Sequence, residues 1–267
     1  MIAEVAAVLA PVFVMAAIGY AWRLTGAPFD MSFVTRIIMY VAGPCLVFTS
    51  LSRLTLPLAQ FWGMVGAMIV VTLGVAAVSA VLIKLLGLPL RSFLPALTLG
   101  NTGNLGLPLC LFAFGEEGLG LAVAVYVTNS LLQFTFVPLL HSRVSVVRTL
   151  FSTPMLYGAA AGLTVLIADV HVPVWLANTL STLGDLLIPL MLMALGNTIG
   201  GLKAHNLPRA LGLGGARLAI SFVVAVGVSF ALGLRDADDI AGIVLVSTLL
   251  GALLLPFLVS YALWLAR

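Results

Sequence analysis

One stretch of this sequence places polar residues inside a long apolar run. Three glycines, two asparagines, a threonine and a proline occur there, in the segment Gly100, Asn101, Thr102, Gly103, Asn104, Leu105, Gly106, Leu107 and Pro108. Asparagine and glycine are poor helix formers, and proline lacks a backbone donor. Freed amides and carboxamide side chains can bind a polar ligand, and the N-terminus of a half-helix favours an anion. The stretch predicts such a binding site, and a kinked helix packed through its glycines is the alternative.

Two charged residues fall in the middle of other apolar runs. Asp185 lies about 10 residues into its run, which is roughly 15 Å along a helix, and Arg217 lies about 9 residues into the next run. Charges at this depth in a membrane usually have a partner and often a function. Asp185 is therefore a candidate proton or cation site and Arg217 a candidate counter-charge for an anion. A structural ion pair between the two is the alternative.

Prolines and a Gly-Asn pair mark further irregularities in the apolar runs. Pro44 is predicted to break its helix, and Pro189 is placed similarly in a later run. Gly196 and Asn197 follow Pro189 by two turns. This pair either loosens the helix or caps its C-terminus before the next loop.

Residues for enzyme or metal chemistry form no recognisable set. The sequence has no G-x-S-x-G, H-E-x-x-H or P-loop motif, and its three histidines are far apart. Cys45 and Cys110 both sit in apolar runs, where they are expected to pack as free thiols. We expect no catalytic residues, no metal and no cofactor. The bases are scattered singly, which indicates no nucleic-acid partner.

Composition identifies the surroundings that these residues share. The 267 residues are 62% hydrophobic and 8% charged, with a mean hydropathy of +1.23. A soluble domain is about 25% charged. This excludes a soluble enzyme, a disordered protein and a disulfide-stapled secreted domain. The chain is predicted to be an all-α polytopic protein of the cell (inner) membrane.

Nine apolar runs are long enough to cross a bilayer core, which needs roughly 20 helical residues. They are residues 5–23, 33–51, 61–87, 93–114, 118–140, 152–170, 174–200, 208–234 and 240–266. With the N-terminus outside, nine Lys and Arg residues face the cytoplasm and two face outward. This bias predicts an outside N-terminus, by the rule that cytoplasmic loops are rich in bases.

The runs contain a weak internal repeat. Pro44 and Pro189 lie 145 residues apart in similar surroundings, and the same offset aligns the third run with the eighth. Pro138 and Pro256 lie 118 residues apart, so the register slips by 27 residues. This predicts a first repeat of five spans over 1–140 and a second of four spans over 141–267. An odd number of spans per repeat inverts the second copy, which is typical of secondary transporters.

The polar stretch, the segment PLMLMALGNTIGGL at 189–202 and the segment STLLGALLLPFL at 247–258 resemble the auxin efflux carrier family. The resemblance covers nearly the whole chain and implies a fold similar to that of bile-acid/sodium symporters. It implies ten spans in two inverted repeats, with spans four and nine broken and crossed. It also implies transport of a small organic anion, such as an auxin-type acid or a dicarboxylate. Asn101, Asn104, Gly106 and Pro108 match the first crossover motif.

The chain departs from this family pattern at the second crossover. After Leu234 it passes through five residues, 235–239, directly into the segment that matches the family's last span. The 27-residue slip corresponds to one missing span, so half of the expected site is absent. We expect a permease that works by alternating access, with a proton or sodium as candidate coupling ion. The alternatives are a degenerate or truncated relative that does not transport, and a homodimer whose chains share crossing helices.

Overall fold

The computed structural model describes residues 2–54, 58–99, 102–141, 148, 151–201 and 207–231. Within these ranges the chain is mostly helical. The helices are α1 (Ile2–Leu24), α2 (Met31–Ile37), α3 (Gly43–Ser52), α4 (Leu58–Leu85), α5 (Leu90–Thr98), α6 (Leu107–His141), α7 (Pro154–Ile167), α8 (Val174–Asp185), α9 (Leu187–Gly200) and α10 (Leu207–Ala231). Two π-helical segments, Ile38–Ala42 and Thr102–Gly106, precede α3 and α6.

Several of these helices have the length and composition of membrane spans. Four described stretches are long and apolar enough to cross a bilayer: Met31–Ser52, Phe61–Leu85, Gly118–Phe136 and Val174–Gly200. Four shorter apolar helices accompany them: Leu9–Leu24, Leu107–Glu116, Pro154–Ile167 and Gly212–Val228. Seven of the first eight predicted spans each overlap one of these stretches over most of their length, whereas the predicted fourth span, 93–114, overlaps Leu107–Glu116 only in its second half. The ninth, 240–266, lies outside the described residues.

The turn between the fourth and fifth spans lies within α6. Gly115 has φ 66° and ψ −155°, which a residue with a side chain rarely adopts. The helix therefore consists of one part before Gly115 and one part after it. These two parts are the second half of span four and span five.

The described residues form two compact units. The first consists of Met1–Leu58, Gly103–Val127 and Val147–Leu202, and the second of Ala59–Thr102, Thr128–Val146 and Lys203–Arg267. These boundaries differ from the predicted repeats, 1–140 and 141–267, because the units group residues by contact and not by chain order.

Glycines allow the helices of the first unit to pack closely. A Cβ on Gly162 of α7 would lie 2.9 Å from the carbonyl oxygen of Phe48, and Gly158 meets the backbone of Pro44. Gly158 and Gly162 form a G-x-x-x-G pair, and such close backbone contact is typical of that pair in an apolar span. Gly184 of α8 contacts Leu46 in the same way, so α3 is held between α7 and α8.

The second unit contains two apolar clusters. Residues of α4, α5 and α10 form the first: Ile83, Phe93, Leu94, Leu97 and Leu213. The second joins α4 to α10 and contains Ala67, Val71, Val75 and Ala225. Both clusters hold α10 against its neighbours, and this fixes the position of Arg217 on that helix.

The structure modifies the irregularities predicted at the prolines. Span two does not break at Pro44; it widens into the π-helical segment Ile38–Ala42, because proline cannot donate to the carbonyl one turn earlier. In span seven the α-helical hydrogen-bond pattern lapses at Leu186, three residues before Pro189, although this residue keeps helical dihedral angles of φ −68° and ψ −22°. The predicted irregularity at Gly196 and Asn197 is absent, since α9 runs through both residues and ends at Gly200.

Candidate functional site

The fourth span is interrupted where the polar stretch begins. Helix α5 ends at Thr98, and Leu99 is extended with φ −83° and ψ 123°. Asn101 and Gly100 lie outside the described residues. The chain then resumes as the π-helical segment Thr102–Gly106 and leads directly into α6. Pro108 is therefore buried in the first turn of the next helix, where proline is well tolerated.

Arg217 supplies hydrogen bonds to the broken end of α5. Its Nη1 donates to the carbonyl of Ala96 at 3.0 Å, and its Nη2 donates to the carbonyl of Leu99 at 2.6 Å. These carbonyls belong to a helix end, where backbone oxygens have no partner within the helix. The residue is 4% exposed, so its bonds form away from solvent. The guanidinium also places a positive charge at the negative end of the α5 dipole.

A second buried hydrogen bond holds the first residue of the π-helical segment. Asn129 of α6 donates from Nδ2 to the hydroxyl of Thr102 at 3.2 Å. Thr102 is 5% exposed and Asn129 is 2% exposed. The bond holds Thr102 against the fifth span.

Gly103 lies where a side chain would not fit. A Cβ at this position would lie 2.8 Å from the Cε of Met191 and 2.9 Å from a ring carbon of Tyr126. Gly106 is buried as well. The side chain of Asn104 lies outside the described residues, although its backbone belongs to the π-helical segment. The glycines thus account for close packing within the first unit, as the alternative interpretation expected.

A cavity of about 540 Å³ lies within the first unit. Apolar residues of α1, α3, α6 and α9 line it together with six polar residues: Thr49, Ser50, Arg53, Glu116, Ser181 and Asp185. This volume is within the usual range for small-ligand pockets. We call it the Arg53–Asp185 cavity. Its shape and mixed lining can hold a small molecule with both polar and apolar parts.

Asp185 and Arg217 have different surroundings. Asp185 ends α8, is exposed and lines the Arg53–Asp185 cavity together with Pro189. Arg217 belongs to the second unit and bonds to α5. The contacts of Arg217 are therefore with backbone carbonyls, a role that the sequence did not indicate.

A second cavity of about 450 Å³ adjoins the same arginine. Arg53 lines it along with Asp169, His171 and residues from α3, α7 and α8. Arg53 is thus shared by two cavities of the first unit. Arg53 and Glu116 are not among the site residues that the sequence indicated. The signal for Arg53 was its spacing from Thr49 and Ser50, which places all three on one face of a helix.

Asn197 is an unusual residue of the first unit. It is 4% exposed, and its Nδ2 has no hydrogen-bond partner among the described atoms. Its neighbour Gly196 contacts the backbone of Ala16 and Tyr20 on α1. The glycine is therefore a packing residue, and the amide is a polar group held in an apolar contact.

Histidine, cysteine and acidic residues are dispersed in the part of the chain that the structure describes. No group of three or more His, Cys, Asp or Glu residues occurs in it. Cys45 and Cys110 are free thiols.

Comparisons with known proteins agree with these features. A profile of the family described as "Membrane transport protein" matches residues 5–143, just over half of the chain. The chain is also similar to an uncharacterized transporter of Methanothermobacter thermautotrophicus. The two are 29% identical over 246 residues, covering 85% of this chain and 79% of the relative. The family match includes the whole polar stretch of the fourth span.

Proposed function

Because this chain belongs to the membrane transport protein family, also called the auxin efflux carrier family, we propose that it is a permease for a small organic anion. Membership makes it an integral membrane protein of a transporter family and not an enzyme. The substrate class, the secondary mechanism by alternating access and the location in the inner membrane with an outside N-terminus belong to the proposal.

The observation that carries the proposal is the interrupted fourth span. A break in lipid is costly, because each unsatisfied backbone group costs several kcal/mol in the bilayer core. Arg217 and Asn129 offset part of this cost through buried hydrogen bonds. A chain that required only a membrane helix would be more stable without the break. Retaining it is typical of transporter sites, where half-helices end at the substrate.

We assign the substrate contacts to the polar stretch. Asn101, Thr102, Gly103, Asn104, Gly106 and Pro108 form this proposed site, and Asn129 positions Thr102. Arg217 is hydrogen-bonded to the α5 end of the break and contributes positive charge there. Asp185 is assigned as the proton or sodium site, through the cavity that it lines.

The proposed architecture is an inverted repeat of five and four spans. The two matching prolines support it, since each follows a local irregularity: the π-helical segment before Pro44 and the lapse in the hydrogen-bond pattern at Leu186 before Pro189. Equivalent distortions at equivalent positions are expected of two copies of one unit.

One observation favours a second function. The 27-residue slip removes the span that would carry the second crossover. A relative lacking half of its site would be a non-transporting membrane protein that assembles with partners. A homodimer that supplies the missing half from a second chain reconciles the slip with transport.

Uptake into proteoliposomes tests the proposal. Purified protein is assayed with a panel of labelled small organic acids, and Asn101→Leu is compared with Asn178→Leu, an exposed asparagine of α8 outside the polar stretch. We expect saturable uptake that Asn101→Leu abolishes and Asn178→Leu preserves. Failure of folded protein to take up any acid would favour the non-transporting relative.

A further inference from the structure

The Arg53–Asp185 cavity contains more negative than positive charge. Its lining includes two carboxylates, Glu116 and Asp185, and one guanidinium, Arg53. The formal sum is one negative charge, so a bound monoanion would increase it to two. Like charges within one cavity repel, and they repel more strongly where solvent is excluded.

The three charges come from different helices and different depths. Arg53 follows the last residue of α3, at the end of the second span. Asp185 lies 11 residues after Val174 at the start of α8, roughly 16 Å along the helix. In a bilayer this depth is close to the centre, where an acid needs a positive partner. The cavity's own base is at the end of a span and not at that depth.

Two oxygen atoms in the cavity are suited to a positive charge. The Asp185 carboxylate is exposed to the cavity, and the Thr49 hydroxyl already donates its proton within α3, to the carbonyls of Cys45 and Leu46 at 2.9 and 3.0 Å. The threonine oxygen can therefore act toward a ligand as an acceptor. Carboxylate and other acceptor oxygens are the groups that bind an ammonium or a small cation, and this cavity contains both.

From this charge balance we infer that the Arg53–Asp185 cavity is a second binding site for the organic anion, separate from the polar stretch, and that it binds the anion together with one positive charge held at Asp185. Arg53 takes the carboxylate of the ligand, and Asp185 takes the positive charge. The inference rests on the proposed function, since it concerns the substrate of the same transporter.

The positive charge has two chemical sources. It is either the ammonium group of a zwitterionic substrate, such as an amino acid, or a separate cation that enters with a plain anion. In both cases the loaded cavity carries the same charge as the empty one. Matched pairs of compounds with and without an α-amino group distinguish the sources.

The experiment uses the full chain, purified and reconstituted, with two such pairs: leucine with 4-methylpentanoate, and aspartate with succinate. Binding is measured by tryptophan fluorescence and uptake by radiolabel, with and without sodium and an imposed pH gradient. The variants are Asp185→Asn and, as a control, Asp169→Asn, an exposed acid that lines the other cavity.

A zwitterion is indicated if wild-type protein prefers the amino compound of a pair by about tenfold or more, as expected for one charge-assisted contact. A separate cation is indicated if the deaminated compound binds about tenfold more tightly with sodium or at lower pH. In either case Asp185→Asn should remove the effect and Asp169→Asn should retain it.

Two results would overturn the inference. One is binding of the plain anions that depends on neither sodium nor pH and is unchanged in Asp185→Asn. The other is the absence of saturable binding of all four compounds by folded protein. Binding with the expected dependence on Asp185 but without uptake would support the inference and contradict the transport function, so the two can fail separately.

Discussion

The Nη2 atom of Arg217 lies 2.6 Å from the carbonyl oxygen of Leu99, the residue at which the fourth span loses its helical geometry. The two residues are 118 positions apart in the chain. Together with the bond to Ala96, this contact replaces the helical partners that the break removes. It links the eighth span to the first half of the fourth.

Removing this contact should destabilise the second unit. In Arg217→Met the carbonyls of Ala96 and Leu99 lose their donor. We therefore expect the free energy of unfolding to fall by about 2–5 kcal/mol. Arg217→Lys keeps the positive charge but cannot form both hydrogen bonds with the geometry of a guanidinium. It should therefore lose about half as much stability as Arg217→Met. Thermal unfolding in detergent, followed by the loss of helical circular dichroism, measures this change.

Arg36→Met is the matched control, since Arg36 is exposed at the end of α2. Its free energy of unfolding should lie within about 0.5 kcal/mol of the wild-type value. An Arg217→Met protein as stable as this control would show that the two hydrogen bonds do not support the break.

A double-mutant cycle on the free energy of unfolding should detect the hydrogen bond between Asn129 and Thr102. Thr102→Val and Asn129→Leu each remove one partner of a buried bond and should cost about 1–3 kcal/mol. Because the residues contact each other, the double variant should cost less than the sum, by about 1 kcal/mol. Additive losses would mean that the two residues act independently.

Alanine substitutions at two glycines should change the free energy of unfolding in opposite directions, because one glycine lies in a close helix contact and the other does not. In Gly196→Ala the new methyl group meets the carbonyl of Ala16, so α1 and α9 must separate, at a cost of about 1–3 kcal/mol. In Gly63→Ala, on α4, the methyl group has open space around it. The free energy of unfolding of Gly63→Ala should rise by about 0.5–1 kcal/mol, because alanine loses less backbone entropy on folding than glycine does.

Thermal unfolding of the two glycine variants in parallel checks this prediction. If Gly196→Ala is as stable as Gly63→Ala, then α1 and α9 do not pack at the distance described.

The side of the membrane on which the chain ends depends on the number of spans. Nine spans with an outside N-terminus place Arg267 in the cytoplasm. A fluorescent protein fused to the C-terminus should therefore fluoresce, whereas a periplasmic alkaline phosphatase fusion should be inactive. Active phosphatase would mean that the last segment does not cross the membrane as predicted.

The sequence alone determined the helices and the place of the main break. Runs of about 20 apolar residues have few stable forms in a bilayer other than a helix. Glycine, asparagine and proline at 100–108 weaken the helix locally, whatever surrounds them. The packing of Gly158 and Gly162 was predictable for the same reason, since spacing along one helix decides which residues share a face.

Only the tertiary structure decided which residues meet. The partner of Arg217 was predicted to be an acid or an anion, yet its hydrogen bonds go to two carbonyls of α5. Gly196 is a packing residue and not an irregularity, because α1 lies against it. Arg53, Glu116 and Asp185 are brought to one cavity by three separate spans. Periodicity describes one helix at a time, whereas these contacts depend on how distant helices pack against one another.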